Sequence, residues 1–295
     1  MKWAVATAIL LCSGVVCRSQ NLDSVIETRH LARTDGKVPT YFSEQCAPEA
    51  GQWSKTVAGA VEYYEKKFSK TFTVKFAVID SGQWLREIAP YGLVFHDKGW
   101  IVTTARLKYR TFAKVYGIGT GELFEKRMAR VNITPAEFMD AFFKFYCVHE
   151  LGHYFVSMLS GARSPDHWTS EFIATYFAYE YFANNDEASL KIFENFCESD
   201  LNSYRPRYSS VNDFNEIYSD IGVPNYLWFQ SNFFFLAKSL YKCKGKEFIS
   251  DYEELFPKGR NNDQLETVDI VKSLDKKCPS IVSQWFFAME GKARY

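Results

Sequence analysis

Cys147-Val148-His149-Glu150-Leu151-Gly152-His153-Tyr154 is the stretch whose reading decides the fold. On an α-helix, residues four apart lie one turn apart on the same face. His149 and His153 then each offer a ring nitrogen to one zinc ion. Glu150 stands at the edge of that face, where it reaches a water beside the metal but not easily the metal itself. Two imidazole ligands and a carboxylate general base are the arrangement of a zinc hydrolase.

The flanks supply the helix. Thr134-Pro135-Ala136-Glu137 reads as its start: Thr134 caps, Pro135 takes the first helical position and Glu137 completes a capping box. Between Ala136 and Ser160 there is no Pro, Gly152 is the one glycine, and Gly161 offers a C-terminal stop. Phe138, Phe142, Phe145, Leu151, Phe155 and Leu159 spread apolar surface over most of the circumference, which predicts a buried helix. Two histidines and a glutamate are unfavourable there without partners. A metal and its water remove that penalty.

Catalytic zinc takes three protein ligands and leaves one position for water. A metzincin continuation, H-x-x-G-x-x-H, is excluded because its glycine and histidine positions hold Val156 and Leu159. The next polar cluster, Ser164-Pro165-Asp166-His167-Trp168-Thr169-Ser170-Glu171, opens a second helix, with Ser164 as cap and Pro165 at the first position. Ala174 and Ala178 follow Glu171 at helical spacing. Such small residues let the second helix approach the first and aim Glu171 at the metal. Glu180, Asp166 and His167 are rival ligands. Glu180 falls about half a turn round the helix from Glu171. Asp166 and His167 sit in the first turn, where acidic side chains commonly complement the helix dipole. His167 shares the Glu171 face, but a surface or capping position is the expectation for it.

His149-Glu150-x-x-His153 followed by Trp168-x-x-Glu171-x-x-Ala174-x-Tyr176 resembles the gluzincin metallopeptidases, which include the thermolysin-like and aminopeptidase N-like families. The resemblance covers residues 134–183. It implies His149, His153 and Glu171 as ligands of one Zn2+ and Glu150 as general base. It implies an α+β, zincin-like fold, with a small N-terminal mixed sheet, the two site helices and a mainly helical C-terminal lobe. It also implies hydrolysis of peptide bonds in a peptide or protein substrate. The chain departs from the pattern in two places. Thr175 stands where many gluzincins carry an Asp that orients a ligand histidine. A G-A-M-E-N-type motif is absent, which speaks against exopeptidase action. In gluzincins a Tyr or His from the helical lobe often stabilises the oxyanion. Tyr226 is the candidate here, with Tyr218 and Tyr208 as rivals and simple packing as the competing role. Two other readings share these residues: a zinc hydrolase of another bond, and a non-catalytic binding protein with a relic site.

The remaining sequence sets bounds. The 295 residues suffice for one large or two small domains. Basic and acidic residues balance at 35 each, which argues against nucleic acid as a main partner and gives no polybasic membrane signal. Residues 1–19 read as a signal peptide: Lys2, then an apolar run from Trp3 to Val16, then small residues at Cys17 and Ser19. A secreted or periplasmic protein follows. Lipoprotein anchoring at Cys12 or Cys17 is disfavoured, because neither follows a small residue. No later stretch is long and apolar enough for stable membrane insertion. Export permits disulfides among Cys46, Cys197, Cys243 and Cys278, which could pair in three ways; Cys243–Cys278 would staple two C-terminal helices, but the sequence alone does not fix the pairing. Cys147 reads as a buried free thiol.

The expected organisation is a lobe over 20–185 carrying the sheet and site helices, and a helical lobe over 186–295. Residues 20–45 read as an extended lead-in, and 53–68 as a helix. Residues 71–80, 91–95 and 100–104 read as strands. His96-Asp97-Lys98-Gly99 is the predicted hairpin turn, so His96 reads as a turn residue. Residues 100–104 are the predicted cleft-facing edge. Gly117-x-Gly119-x-Gly121 reads as a flexible loop. Asn132-Ile133-Thr134 is a glycosylation sequon that Pro135 disfavours. Asp186 is expected to cap the next helix, and Pro224 to open a long aromatic one.

Overall fold

A computed structural model describes residues 22–27, 29–83, 93–115, 121–159, 164–257 and 265–291. The expected signal peptide, Gly117, Gly119 and the Gly161 stop lie outside the described residues. The fold is α+β, with a small mixed sheet followed by a helical C-terminal part.

The sheet draws on more of the chain than expected. Helix α1 (Leu22–Glu27) and strands β1 (Ala32–Thr34) and β2 (Thr40–Phe42) occupy the segment read as an extended lead-in. Three-residue strands are too short to show alternation, so their signal lies in partners far along the chain. Helix α2 (Ala47–Phe68) follows, then β3 (Lys75–Asp80), β4 (Val94–Asp97) and β5 (Trp100–Ala105). The strand order is β1-β2-β3-β5-β4. β2, β3 and β5 run parallel, while β1 and β4 pair antiparallel at the two edges. β3 is central, and Phe76, Ala77, Val78 and Ile79 are all buried. A strand covered on both faces reads as a continuous apolar run, not an alternating one.

Two expectations about the hairpin fail. Residues 100–104 form β5, which sits inside the sheet, and β4 is the edge. The turn is Lys98-Gly99, both with positive φ (45° and 87°). That is the backbone twist favoured in two-residue hairpins. A Cβ on Gly99 would come within 2.7 Å of the Thr73 carbonyl oxygen. His96 and Asp97 therefore belong to β4, and the His96 side chain is set by the strand.

Helices α3 (Tyr109–Val115) and α4 (Gly121–Arg130) lead to α5 (Pro135–Leu159), which carries the histidine motif. Its capping box forms as expected. The Thr134 backbone N–H donates to Glu137 Oε2 at 2.8 Å, and the Glu137 N–H to Thr134 Oγ1 at 3.2 Å. Helix α6 (His167–Asn185) starts later than expected, because Asp166 is its cap and not Ser164. Asp166 Oδ1 accepts from the Thr169 N–H at 3.1 Å, and the Ser164 hydroxyl is engaged with the Tyr252 hydroxyl at 2.9 Å. Asp186 caps α7 (Glu187–Ser203) as read from sequence. Then come α8 (Val211–Glu216), the aromatic α9 (Val223–Lys244), α10 (Phe248–Leu255), α11 (Thr267–Asp275) and α12 (Ile281–Met289).

Packing fixes the site helices. α5 lies against α2, β4 and β5, so it is pinned to the sheet. α6 packs along α5, and α9 covers α6 and α7. Phenylalanines dominate the contact: Phe145 stacks on Phe193 with centroids 3.9 Å apart, and Phe142 meets Phe112 edge-on at 4.8 Å. The buried cluster runs from Ile26 to Met289. Of the possible pairings the structure contains Cys243–Cys278, while Cys46 and Cys197, allowed as a second pair, are buried free thiols like Cys147. Among the described residues no helix is long and apolar enough to cross a membrane.

Candidate metal centre

The two site helices meet at a glycine. A Cβ on Gly152 would lie 2.8 Å from Ala174 Cα and 2.9 Å from its carbonyl oxygen. Glycine and alanine here let α5 and α6 come into backbone contact. Beside that contact, His149 and His153 of α5 and Glu171 of α6 converge as a result. His153 Nε2 lies 3.2 Å from His149 Nε2, and His149 Nε2 lies 3.2 Å from Glu171 Oε2. His153 Nε2 lies 3.7 Å from the other oxygen, Oε1. His149 and Glu171 are buried, and His153 half-buried.

These distances can be compared with what a cation requires. A tetrahedral zinc with bonds of about 2.0–2.1 Å holds its ligand atoms about 3.3 Å apart. The observed separations straddle that value. Two imidazole nitrogens face each other across 3.2 Å, and a carboxylate faces both. One shared proton bridges one pair of these atoms at a time. A divalent cation satisfies all three together. His149, His153 and Glu171 are the grouping among the described residues able to hold a metal ion.

The surroundings orient each donor. His149 Nδ1 lies 3.2 Å from Thr175 Oγ1, whose hydroxyl donates to the Glu171 carbonyl oxygen at 2.9 Å. Thr175 is therefore an acceptor for His149, which places the proton on Nδ1 and the lone pair of Nε2 towards the centre. Threonine thus fills the orienting position expected of an aspartate. Ser170 Oγ stands 3.3 Å from His153 Nδ1. Glu171 accepts from the Tyr218 hydroxyl at 2.6 Å, the Tyr226 hydroxyl at 2.8 Å and Gln230 Nε2 at 2.7 Å. Burial alone would push the Glu171 carboxyl up, but His153 and His149 outweigh it and hold it well below the usual carboxylate range. Burial opposes charge on His153, yet Glu171 and Glu150 push its imidazole up. Burial and the nearby Glu171 push both phenols up, so Tyr218 and Tyr226 stay protonated and donate.

Glu150 lies beside the cluster, half-buried. Its Oε2 is 2.8 Å from His96 Nδ1. The His96 ring stacks on that of His153, with centroids 5.2 Å apart and planes 17° from parallel. His96 is therefore part of the site, which corrects its reading as a turn residue. No local signal marked it, because the contact spans the sheet edge and α5. Gln230 was also missed, although it follows Tyr226 by one helical turn and so shares its face.

The rival residues are placed elsewhere or otherwise employed. Glu180 is fully buried on the far side of α6, paired with Lys67 at 2.7 Å. Asp166 is the α6 cap and also accepts from Asn215 Nδ2 at 3.0 Å. His167 is exposed, stacks flat on Tyr218 at 4.3 Å and lines the cleft. Tyr208 is held with Asn225, whose side chain donates to its carbonyl oxygen. The cleft above the cluster has a volume of about 640 Å³ and is walled by His96, His153, Asp166, His167 and Ser170. That is in the range of sites for small ligands or a few residues of chain. Four of the five histidines gather at this cleft or directly beneath it, and His30 alone lies elsewhere. No protein-family model matches this chain, and no curated protein matches it.

Proposed function

We propose that the protein is an exported zinc hydrolase of zincin-like fold that cleaves peptide bonds by the gluzincin route. One observation carries this reading: His149, His153 and Glu171 converge at zinc-like spacings, and Glu150 stands beside them, hydrogen-bonded to the cleft-lining His96. The donor set fits the ion. Two neutral imidazoles and a carboxylate are the ligands of a catalytic zinc that keeps an open position.

His149, His153 and Glu171 would hold the zinc, which would supply Lewis acidity. The residues of the chain do the rest. Glu150 takes a proton as the water oxygen attacks the carbonyl carbon, then delivers it to the departing amine. Thr175 and Ser170 hold the two imidazoles in orientation. Tyr226 and Tyr218 present protonated hydroxyls at the cluster, and one of them turns from Glu171 to the developing oxyanion. β4, the sheet edge next to α5, offers its backbone to an extended substrate.

Metal analysis of the purified protein, run with a mixed-peptide cleavage assay, tests the proposal. One zinc per chain and cleavage are expected. Glu150→Gln is expected to keep the zinc and lose about 10²- to 10⁴-fold in kcat. Full activity in that variant would remove Glu150 as the base. Zinc binding with turnover of a non-peptide ester or amide alone would move the protein to another hydrolase class.

A further inference from the structure

His96 stands on the edge strand, 54 residues before Glu150, yet the two side chains are in hydrogen-bond contact. A carboxylate is an acceptor, so His96 Nδ1 carries the proton and donates to Glu150 Oε2. The face of the same ring lies on His153. One side chain thus meets the candidate base through its edge and a candidate ligand through its face. It is 35% exposed and borders the cleft. Folding of β4 does not require it. The strand is held by its backbone ladder to β5, with His96 opposite Ile101, and a third-exposed imidazole adds little apolar burial.

We propose that His96 is the positioning residue of the general base, holding one oxygen of Glu150 so that the other faces the attacking water. This rests on the hydrolase reading above. A glutamate beside a metal has several rotamers, and some swing the carboxylate onto the ion as a fourth ligand or out to solvent. A donor fixed to the sheet edge, with its ring braced on His153, selects one rotamer before the reaction starts. Pre-set orientation of a catalytic group lowers the barrier without altering substrate affinity.

Two substitutions separate the hydrogen bond from the stacking. His96→Phe keeps the ring and removes the donor. His96→Asn places an amide N–H near the Nδ1 position. In His96→Phe, zinc content is expected to be unchanged, with kcat down about 100-fold and KM within about twofold. His96→Asn is expected to recover about tenfold of that loss. In a Glu150→Gln background, His96→Phe is expected to add no further loss, since both changes act on one group. An undiminished kcat in His96→Phe, or its full effect repeated on Glu150→Gln, would overturn the proposal while leaving the hydrolase reading intact. A readout free of turnover completes the test. Long-range 1H–15N spectra of the neutral imidazoles are expected to show His96 as the Nδ1–H tautomer in the native protein and not in Glu150→Ala. The Nε2–H tautomer in both overturns the contact itself. A native protein with no zinc and no cleavage overturns the hydrolase reading, and the positioning role falls with it.

Discussion

Helix α6 carries two buried glutamates, Glu171 and Glu180, and they are buried for different reasons. Glu180 meets a cation of its own chain. Lys67 Nζ lies 2.7 and 2.8 Å from its two oxygens, Tyr63 donates to it at 3.0 Å, and the third ammonium proton goes to the Lys246 carbonyl. Glu171 meets neutral donors on one side and two imidazole nitrogens on the other. The first cluster is complete in charge and in hydrogen bonds. The second turns two ring nitrogens and a carboxylate towards one another, and no Lys or Arg among the described residues is paired with that carboxylate. The closed pair fastens helices together, whereas the His149-His153-Glu171 cluster could hold a metal ion.

The largest effect is expected from Lys67→Met. It leaves Glu180 buried without its cation and is expected to lower stability by about 3–5 kcal/mol in chemical denaturation, with zinc content unchanged. The double change Lys67→Met with Glu180→Met is expected to recover most of that loss, because a buried pair contributes little beyond an apolar replacement. The matching change in the second cluster is Glu171→Gln. Zinc at a hundred times its dissociation constant is expected to stabilise the native protein by about 2.7 kcal/mol, and this increment disappears in the variant. A thermal shift with and without chelator reads it. A smaller effect is expected from Thr175→Val, which removes the acceptor for His149 Nδ1. Zinc affinity should fall about 10- to 100-fold by competition with a chromophoric chelator.

The smallest effect is a difference in sign. In chelator, Glu171 has a folded pKa below its ordinary 4.5, so the unfolded chain binds more protons there. Its stabilisation is present above that value and is lost as pH falls through the folded pKa. Burial outweighs Lys67 and Tyr63 at Glu180 and raises its carboxyl above 4.5, so the folded chain binds more protons. Its contribution declines as pH rises from 4.5 through the folded pKa. Urea midpoints between about pH 3 and about pH 6 are expected to climb less steeply in Glu171→Gln and to climb more in Glu180→Gln, by at most about 1.4 kcal/mol per pH unit. Identical slopes in the two variants would mean that the two glutamates do not differ as described.

Much of the centre was legible because it is local. His149, Glu150 and His153 share one helical turn, Thr134 and Glu137 cap that helix, and Ala174 and Ala178 mark the face of α6 that approaches it. Glu171 followed from the same periodicity. The cap of α6 was misplaced by two residues because Ser164 and Asp166 are both good caps. Asp166 prevails because Thr169 closes its capping box and Tyr252 takes up Ser164. β1, β2 and the edge position of β4 were misread because strand order depends on pairing between distant segments. Thr175 was noted only as a missing aspartate, since a hydroxyl between His149 and the α6 backbone is not visible as a motif.

Short-range properties of the chain, i, i+4 spacing and caps, were enough to pair His149 with His153 and to mark the two site helices, with Glu171 still one of several candidate partners. They also mark Cys147 as a buried free thiol, since helical spacing turns it about 160° from the histidine face. The tertiary structure decided how close those helices come, which glutamate meets a lysine and which meets the histidines, and that His96 reaches Glu150. Those outcomes depend on backbone contact at Gly152 and Ala174, on Lys67 arriving from α2, and on which strand forms the sheet edge. Each is a meeting of residues far apart in the chain, which the packing of helices on the sheet decides.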